Sequence, residues 1–210
     1  ALPATPTMLA FGIKLQVQLA EWYFQRGIYA RSREVATQIT ELDHPDLSRI
    51  QGRAWYILAE NHLVQGQETD TILRYAHHAY RCFARSQDNL GNAFMLNLHA
   101  TLLQRQAAIP EALSLYSQAL TLFEQISYPL GMIRVLTNIG ATYYRSADYE
   151  QALAYHLRAL AFTTTLTAPS DMARLHSTLA ADYRRLGDYA KTILHHTHAL
   201  ELYELMGDQR

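Results

Sequence analysis

Cysteine occurs once, at Cys82, in 210 residues. No disulfide can form within the chain, so a cystine-stapled secreted scaffold and a paired-cysteine zinc site are both excluded. A reducing, cytoplasmic setting is the expectation. No apolar run approaches the ~20 residues that a membrane-spanning helix requires. An excess of one charge is missing too. Lys and Arg total 18, Asp and Glu 19, and the net charge is −1. Ten basic and nine acidic residues fall through Arg105, eight and ten beyond it, so the balance hides no basic half. Nothing in it points to nucleic acid or to an anionic membrane. There is no glycine-rich phosphate loop and no nucleophile elbow. The carboxylates are scattered over turns and polar faces without a catalytic pair. No catalytic residue, bound metal or cofactor is expected, and the chain is not expected to be an enzyme.

What is present is a core-forming composition, 49% apolar, arranged with a fixed interval. "RSADYEQALAYHLRAL" from Arg145 is answered forty residues later by "RLGDYAKTILHHTHAL" from Arg185. An alanine recurs at Ala79, Ala119, Ala159 and Ala199, and a turn at Gly27, Gly66, Ala107, Ala147 and Gly187. A period of this size marks stacked repeats. Each unit holds two apolar stripes at spacings of three and four, which means two helices. In the fourth unit these are Ile133, Leu136, Ile139 and Tyr143, then Ala152, Leu153, His156, Ala159 and Leu160. Between them lies "SADY", where Ser146 or Asp148 can cap the second helix. The units are bounded by "DHPDL", "SQDNLG", "SYPLG" and "TAPSD", with Asp171 a cap candidate. No strand pattern occurs.

These motifs resemble the tetratricopeptide repeat, which asks for a large residue, Leu-Gly/Ala and Tyr in its first helix and Ala, an aromatic and Ala in its second. The fourth unit has Leu136, Ile139-Gly140, Tyr143, Ala152, His156 and Ala159. The fifth has His176, Leu179-Ala180, Tyr183, Thr192, His196 and Ala199. The second contributes Trp55, Leu58-Ala59 and His62, and the third Ala112, Tyr116 and Ala119. The first is weakest, with Leu19-Ala20, Tyr23 and Gly27 but a poor second helix around Ile39. The period of forty is similar to the longer-helix variant of bacterial regulators and kinesin-light-chain-like adaptors. The resemblance implies an all-α, right-handed superhelical solenoid of five antiparallel helix pairs. The expected layout is a linker over 1–7 and units over about 8–45, 46–89, 90–129, 130–169 and 170–210. "NLHAT" at Asn97 and "NIGAT" at Asn138 lie 41 apart, which places an extra residue in the third unit's turn.

In the family resembled, first helices line a groove that holds a peptide or partner protein. By that correspondence the fourth unit contributes Arg134, Thr137, Asn138, Ala141, Tyr144 and Arg145. The fifth contributes Arg174, Ser177, Thr178, Ala181, Arg184 and Arg185. This part of the groove carries five arginines and no acid, suiting the carboxylates of an extended acidic peptide. An N-terminal part of the groove would hold Lys14, Glu21, Arg53, Tyr56 and Glu60. The expected function is a peptide- or protein-binding scaffold or sensor segment of a larger, bacterial-type signalling or regulatory protein. Two alternatives stay open. One is a small-ligand or signal-peptide sensor, which a deep apolar pocket beside Phe24, Trp55 and Tyr56 would favour. The other is a self-assembly module with no groove ligand.

Ten histidines invite a metal reading, since His195 and His198 lie three apart on one helix. The resemblance instead puts His156, His176 and His196 in packing slots, with His77, His195 and His198 on the surface. Finally, the chain opens at Ala1 rather than Met, and "ALPATPT" lacks the charged and apolar regions of a signal peptide. "MGDQR" at the other end matches "QDNLG" before the third unit. The chain is therefore expected to be a piece of a longer protein. Its last helix is then left with an uncovered apolar side, through which it would form a homodimer.

Overall fold

The sequence alternates apolar stripes with breakers every twenty residues or so, and the computed structural model turns each stripe into a helix. It describes residues 6–42, 47–163 and 167–207, with the backbone alone for residues 6–10. Among the described residues there are ten helices and no strand. They are α1 (Pro6–Gln25), α2 (Tyr29–Thr40), α3 (Ser48–Val64), α4 (Thr69–Ser86), α5 (Asn89–Arg105), α6 (Ile109–Gln125), α7 (Pro129–Arg145), α8 (Tyr149–Ala161), α9 (Pro169–Arg185) and α10 (Tyr189–Gly207). α1 pairs with α2, α3 with α4, α7 with α8 and α9 with α10, and the Thr101 and Tyr116 hydroxyls, 3.0 Å apart, join α5 to α6, an all-α fold of the solenoid type. Of the expected linker, residues 1–5 lie outside the described residues, and Pro6 and Thr7 are already helical. The closing residues 208–210 and the boundary at 43–46 also lie outside them.

The chain divides into two compact units, residues 1–98 and 99–210, the division falling within α5. In the first, α1 packs on α2, α2 on α3 and α3 on α4. Ile13, Val17, Ala20, Ala36, Ile39, Ala54, Ile57 and Leu58 form the core there. Ile39, in the sparse second helix of the first repeat, is fully buried. In the second unit α6 packs on α7, α7 on α8, α8 on α9 and α9 on α10. The periodic alanines Ala79, Ala119, Ala159 and Ala199 are all buried, each within its repeat's second helix.

The turn inside each repeat has one solution used five times. Gly27, Gly66, Ala107, Ala147 and Gly187 all sit at positive φ, between 61° and 82°. At each, two backbone bonds close the helix: in the fourth repeat Ala147 N–H donates to the Tyr144 carbonyl at 3.1 Å, and Asp148 N–H to that of Tyr143 at 3.0 Å. This is the Schellman arrangement, which satisfies carbonyls the helix end leaves unpaired. In four repeats the helix N-cap follows at once, as Ile28, Ala108, Asp148 and Asp188. In the second repeat Gln67 intervenes and the cap is Glu68, with an extended ψ of 133° where Ile28, Ala108 and Asp148 have 61°, 69° and 77°.

The extra residue therefore belongs to the second repeat's turn, not the third's. α5 and α7 align at forty, so Asn97 corresponds to Thr137, and the likeness of "NLHAT" to "NIGAT" is fortuitous. Two capping expectations also resolve. Asp148 caps α8, accepting from the Gln151 amide at 3.2 Å, while Ser146 is the residue that ends α7. Asp171 does not cap α9. That helix opens with Pro169 in its first turn, where the missing N–H costs nothing.

Candidate functional site

The first helices of the last two repeats, α7 and α9, lie together in the second unit. Their expected groove residues divide three ways. Arg145, Arg174, Arg184 and Arg185 are exposed. Arg134, Asn138, Ala141, Tyr144 and Ala181 are half-buried. The small polar residues turn inward. Thr137 is buried and donates to the Ile133 carbonyl at 2.7 Å, a correction to its expected place in the lining. Ser177 and Thr178 are half-buried and donate to the carbonyls of Ala173 and Leu175 at 2.9 and 2.8 Å. A β-hydroxyl in mid-helix finds an acceptor one turn back more readily than a ligand.

The two helices meet at Arg185. Its Nε–H donates to the Tyr144 hydroxyl at 3.1 Å. Its guanidinium stands 5.9 Å from the Tyr144 ring centre and 5.6 Å from that of Tyr149. The two rings are themselves edge-to-face at 5.2 Å. This phenol contact raises the Arg185 pKa, so its charge is permanent. Arg145 and Arg185 are the last residues of α7 and α9, and Arg105 is the last of α5. All three are exposed. Sequence reasoning missed Arg105, although it lies forty residues before Arg145, because the 41-residue likeness at Asn97 blurred the register. Arg105 and Arg145 both act on buried Tyr116. Burial pushes that phenol up to about 12, against the pull of the Thr101 hydroxyl and then of Arg145 and Arg105.

Three acids of these repeats are engaged within the fold. Asp148 caps α8. Asp171 pairs with Arg174 at 3.4 Å, an exposed contact of little energy. Asp182 is fully buried and takes a hydrogen bond from His156 Nδ1 at 2.5 Å. His156 Nε2 faces the Thr137 carbonyl at 3.2 Å. The ring fits only because residue 140 is glycine: a Cβ there would lie 2.5 Å from His156 Nε2.

The N-terminal set behaves differently. Lys14 is exposed. Arg53 pairs with Glu21 and lies 3.8 Å from the Phe94 ring centre. Tyr56 is fully buried and donates to Glu60 at 2.7 Å. Charges there are balanced within the fold. The aromatic residues that a small-molecule pocket would need are committed to separate partners. Trp55 stacks on His78 at 4.6 Å and Tyr75 at 5.6 Å, Tyr56 packs on Phe94, and Phe24 on Tyr29.

The histidines depart from expectation in α10. His156 and His176 are buried as anticipated. His196 is exposed, whereas His195 and His198 are half-buried. The reason is local. His156 is covered by Asp182 of α9 and admitted by Gly140, but at the equivalent of Gly140 the fifth repeat has Ala180. Among the described residues no further helix covers His196. His195 turns toward α9 instead, its Nδ1 2.9 Å from His176 Nδ1, and its ring stacks on Tyr183 at 5.4 Å and 10°. Burial first, and then the neighbouring His198, lowers the His176 pKa. Burial, then His176, His198 and Lys191 lower that of His195.

Residues 91–165 match the family model described as tetratricopeptide repeat. By sequence, no curated protein matches the chain. Among solved structures, the chain is similar to BtubC (BKLC) from P. vanneervenii, at TM-score 0.66 and 21% identity over 96% of this chain and 84% of that one. It is similar to aspartyl phosphate phosphatase F from Bacillus subtilis, at TM-score 0.68 and 20% identity over 94% of this chain. It also resembles a signal-transduction ATPase with numerous domains and a tetratricopeptide-repeat sensor from Pyrococcus horikoshii, at TM-score 0.65 and 17% identity over 93% of this chain. The chain spans 50% of the phosphatase and 30% of the ATPase. At these identities the likeness is one of fold.

Proposed function

Because the chain belongs to the tetratricopeptide-repeat family, we propose that it is a protein-interaction scaffold whose α7 and α9 hold an extended, acidic peptide segment of a partner. The observation that carries this is the exposed row of arginines in the second unit, Arg145, Arg184 and Arg185, with Arg185 set against Tyr144 and Tyr149. An arginine at a helix C-terminus is favoured by the helix dipole, by about 0.3–1 kcal/mol. That preference explains one arginine per helix. It does not explain why Arg185 is held against two tyrosine rings and the Tyr144 hydroxyl, an arrangement that fixes a planar donor fork before a ligand arrives. A carboxylate can then be taken bidentately at less entropic cost.

Catalysis forms no part of this role, and a cytoplasmic place in a signalling or regulatory assembly fits it. The solved relatives that support that context are a phosphatase of aspartyl phosphate and a sensor segment of a signal-transduction ATPase. Binding of a fluorescent glutamate-rich peptide, followed by anisotropy at 50 and 200 mM salt, tests the reading. Affinity should fall with salt and drop at least ~tenfold in Arg145→Glu with Arg185→Glu, because each lost charge-assisted contact is worth on the order of 1.5–3 kcal/mol. Salt-independent binding, or binding that survives the double variant, would refute it.

A second reading rests on α10. Ile193, Leu194, Leu200 and Leu205 are all at least half exposed, and they favour self-association through that helix. Phe11, Leu15, Leu19 and Trp22 form a similar exposed stripe on α1, which sequence reasoning did not single out.

A further inference from the structure

Three imidazoles from two helices converge in the α9–α10 pair. His195 and His198 lie one turn apart on the inner side of α10, and His176 comes up from the middle of α9. One donor nitrogen from each lies within 4.8 Å of the other two. The ring centres of His176 are 5.2 Å from His195 and 5.1 Å from His198. We infer that His176, His195 and His198 form a binding site for one borderline transition-metal dication, Zn²⁺, Cu²⁺ or Ni²⁺, held by three imidazole nitrogens with a fourth position open to water.

The donor chemistry selects the ion. Three nitrogens without a thiolate or carboxylate suit this class and disfavour Mg²⁺ or Ca²⁺, which require oxygen. Bond lengths of about 2.0–2.1 Å at tetrahedral angles put donor nitrogens about 3.4 Å apart. The present spacing is close to that value, with His176 and His195 at 2.9 Å and every pair within 4.8 Å. Small ring rotations therefore complete the site, with no movement of the helices.

Supporting groups are in place. The Tyr183 ring stacked on His195 fixes its plane. Lys191, whose ammonium lies 4.9 Å over Tyr183, is paired with Asp188 at 3.0 Å, so its charge does not stand unopposed beside the ion. A plain packing role accounts for His176 and His195, which share a hydrogen bond. It leaves His198 unexplained, because that ring turns to the other two and, among the described residues, makes no ion pair with a carboxylate. His198, the least buried of the three, gives an ion its way in.

The test is titration of the chelator-treated chain with Co²⁺, read by visible absorption, and with Zn²⁺ by calorimetry. One equivalent should bind saturably, with the intense visible bands of tetrahedral Co²⁺. His176→Asn, His195→Asn and His198→Asn should each weaken it at least tenfold, while His77→Asn, on the exposed face of α4, leaves it unchanged. Circular dichroism checks the fold of each variant. If one loses helicity, histidine ring NMR of the wild-type chain with Co²⁺ decides, since paramagnetic shifts must centre on these three rings. Absence of one-equivalent binding, unchanged affinity in the folded variants, or shifts centred on other histidines would overturn the inference.

Discussion

Gly187→Ala and Gly12→Ala are the same chemical change, and the structure gives them opposite signs. A Cβ built at either position meets nothing within 4 Å, so packing contributes to neither. Gly187 sits at φ +82° in the turn from α9 to α10. An L-residue there pays about 1–2 kcal/mol in sterics. Against this, alanine narrows the unfolded ensemble and recovers about 0.4–1 kcal/mol. The net is a loss of about 1 kcal/mol. Gly12 lies inside α1 with ordinary helical geometry, where alanine gains about 0.5–1 kcal/mol. The two variants should therefore differ by about 2 kcal/mol. Ala147→Gly, at φ 63°, reverses the first case and should stabilise by up to about 1 kcal/mol. Urea unfolding followed at 222 nm measures all three, with the m-value checked because repeat arrays can lose two-state behaviour. If Gly187→Ala matches the wild type or stabilises it, or if both glycine variants shift the same way, the left-handed turn is not what ends α9.

Three other expectations follow from packing and charge. Gly140→Ala drives a Cβ to 2.5 Å from His156 Nε2 and should destabilise the chain by about 1–3 kcal/mol; a thermal melt that matches wild type would show that the ring moves freely. The Tyr116 phenol, pushed up to about 12 by burial, binds its proton more tightly folded than unfolded. Its contribution is complete below about pH 10 and is lost as pH rises toward 12, a fall of about 2.7 kcal/mol. Urea midpoints from pH 9 to 12 should show a shallower decline in Tyr116→Phe, and parallel declines would exclude the phenol. Light scattering across a hundredfold concentration range should show the chain self-associating, and Ile193→Glu with Leu194→Glu should return it to a monomer; a wild-type monomer throughout counts against the α10 face.

The fold was legible because the same solution is repeated. Five turn residues picked by spacing alone all adopt positive φ, including two alanines that no composition rule would single out. The reason is physical: each repeat must reverse the chain between two helices of fixed length, and one left-handed residue with two backbone bonds does it. Where the text was followed instead of the geometry, it misled. "NLHAT" and "NIGAT" agree in letters, yet α5 and α7 align at forty, and the inserted residue lies before Glu68. The groove was legible in charge but not in orientation. Arginines are not buried alone, and four of the five stay exposed, whereas Thr137, Ser177 and Thr178 found acceptors in their own helices, which a position in a repeat does not reveal.

His156 and His196 mark the limit most clearly. They occupy the same repeat position, forty residues apart, and their fates differ because their neighbours do. Gly140 makes room for the first ring and Asp182 binds it. Ala180 closes that room at the second, and among the described residues nothing comes from beyond α10 to meet it. With His196 turned outward, His195 falls on the α9 side of the helix, and His198, one turn on, follows it. The imidazole cluster is thus a product of the exception to the repeat, not of the repeat. A periodic sequence announces its scaffold at every unit. Its chemistry is concentrated where one unit departs from the rest, and such a departure is visible only once the side chains around it are placed.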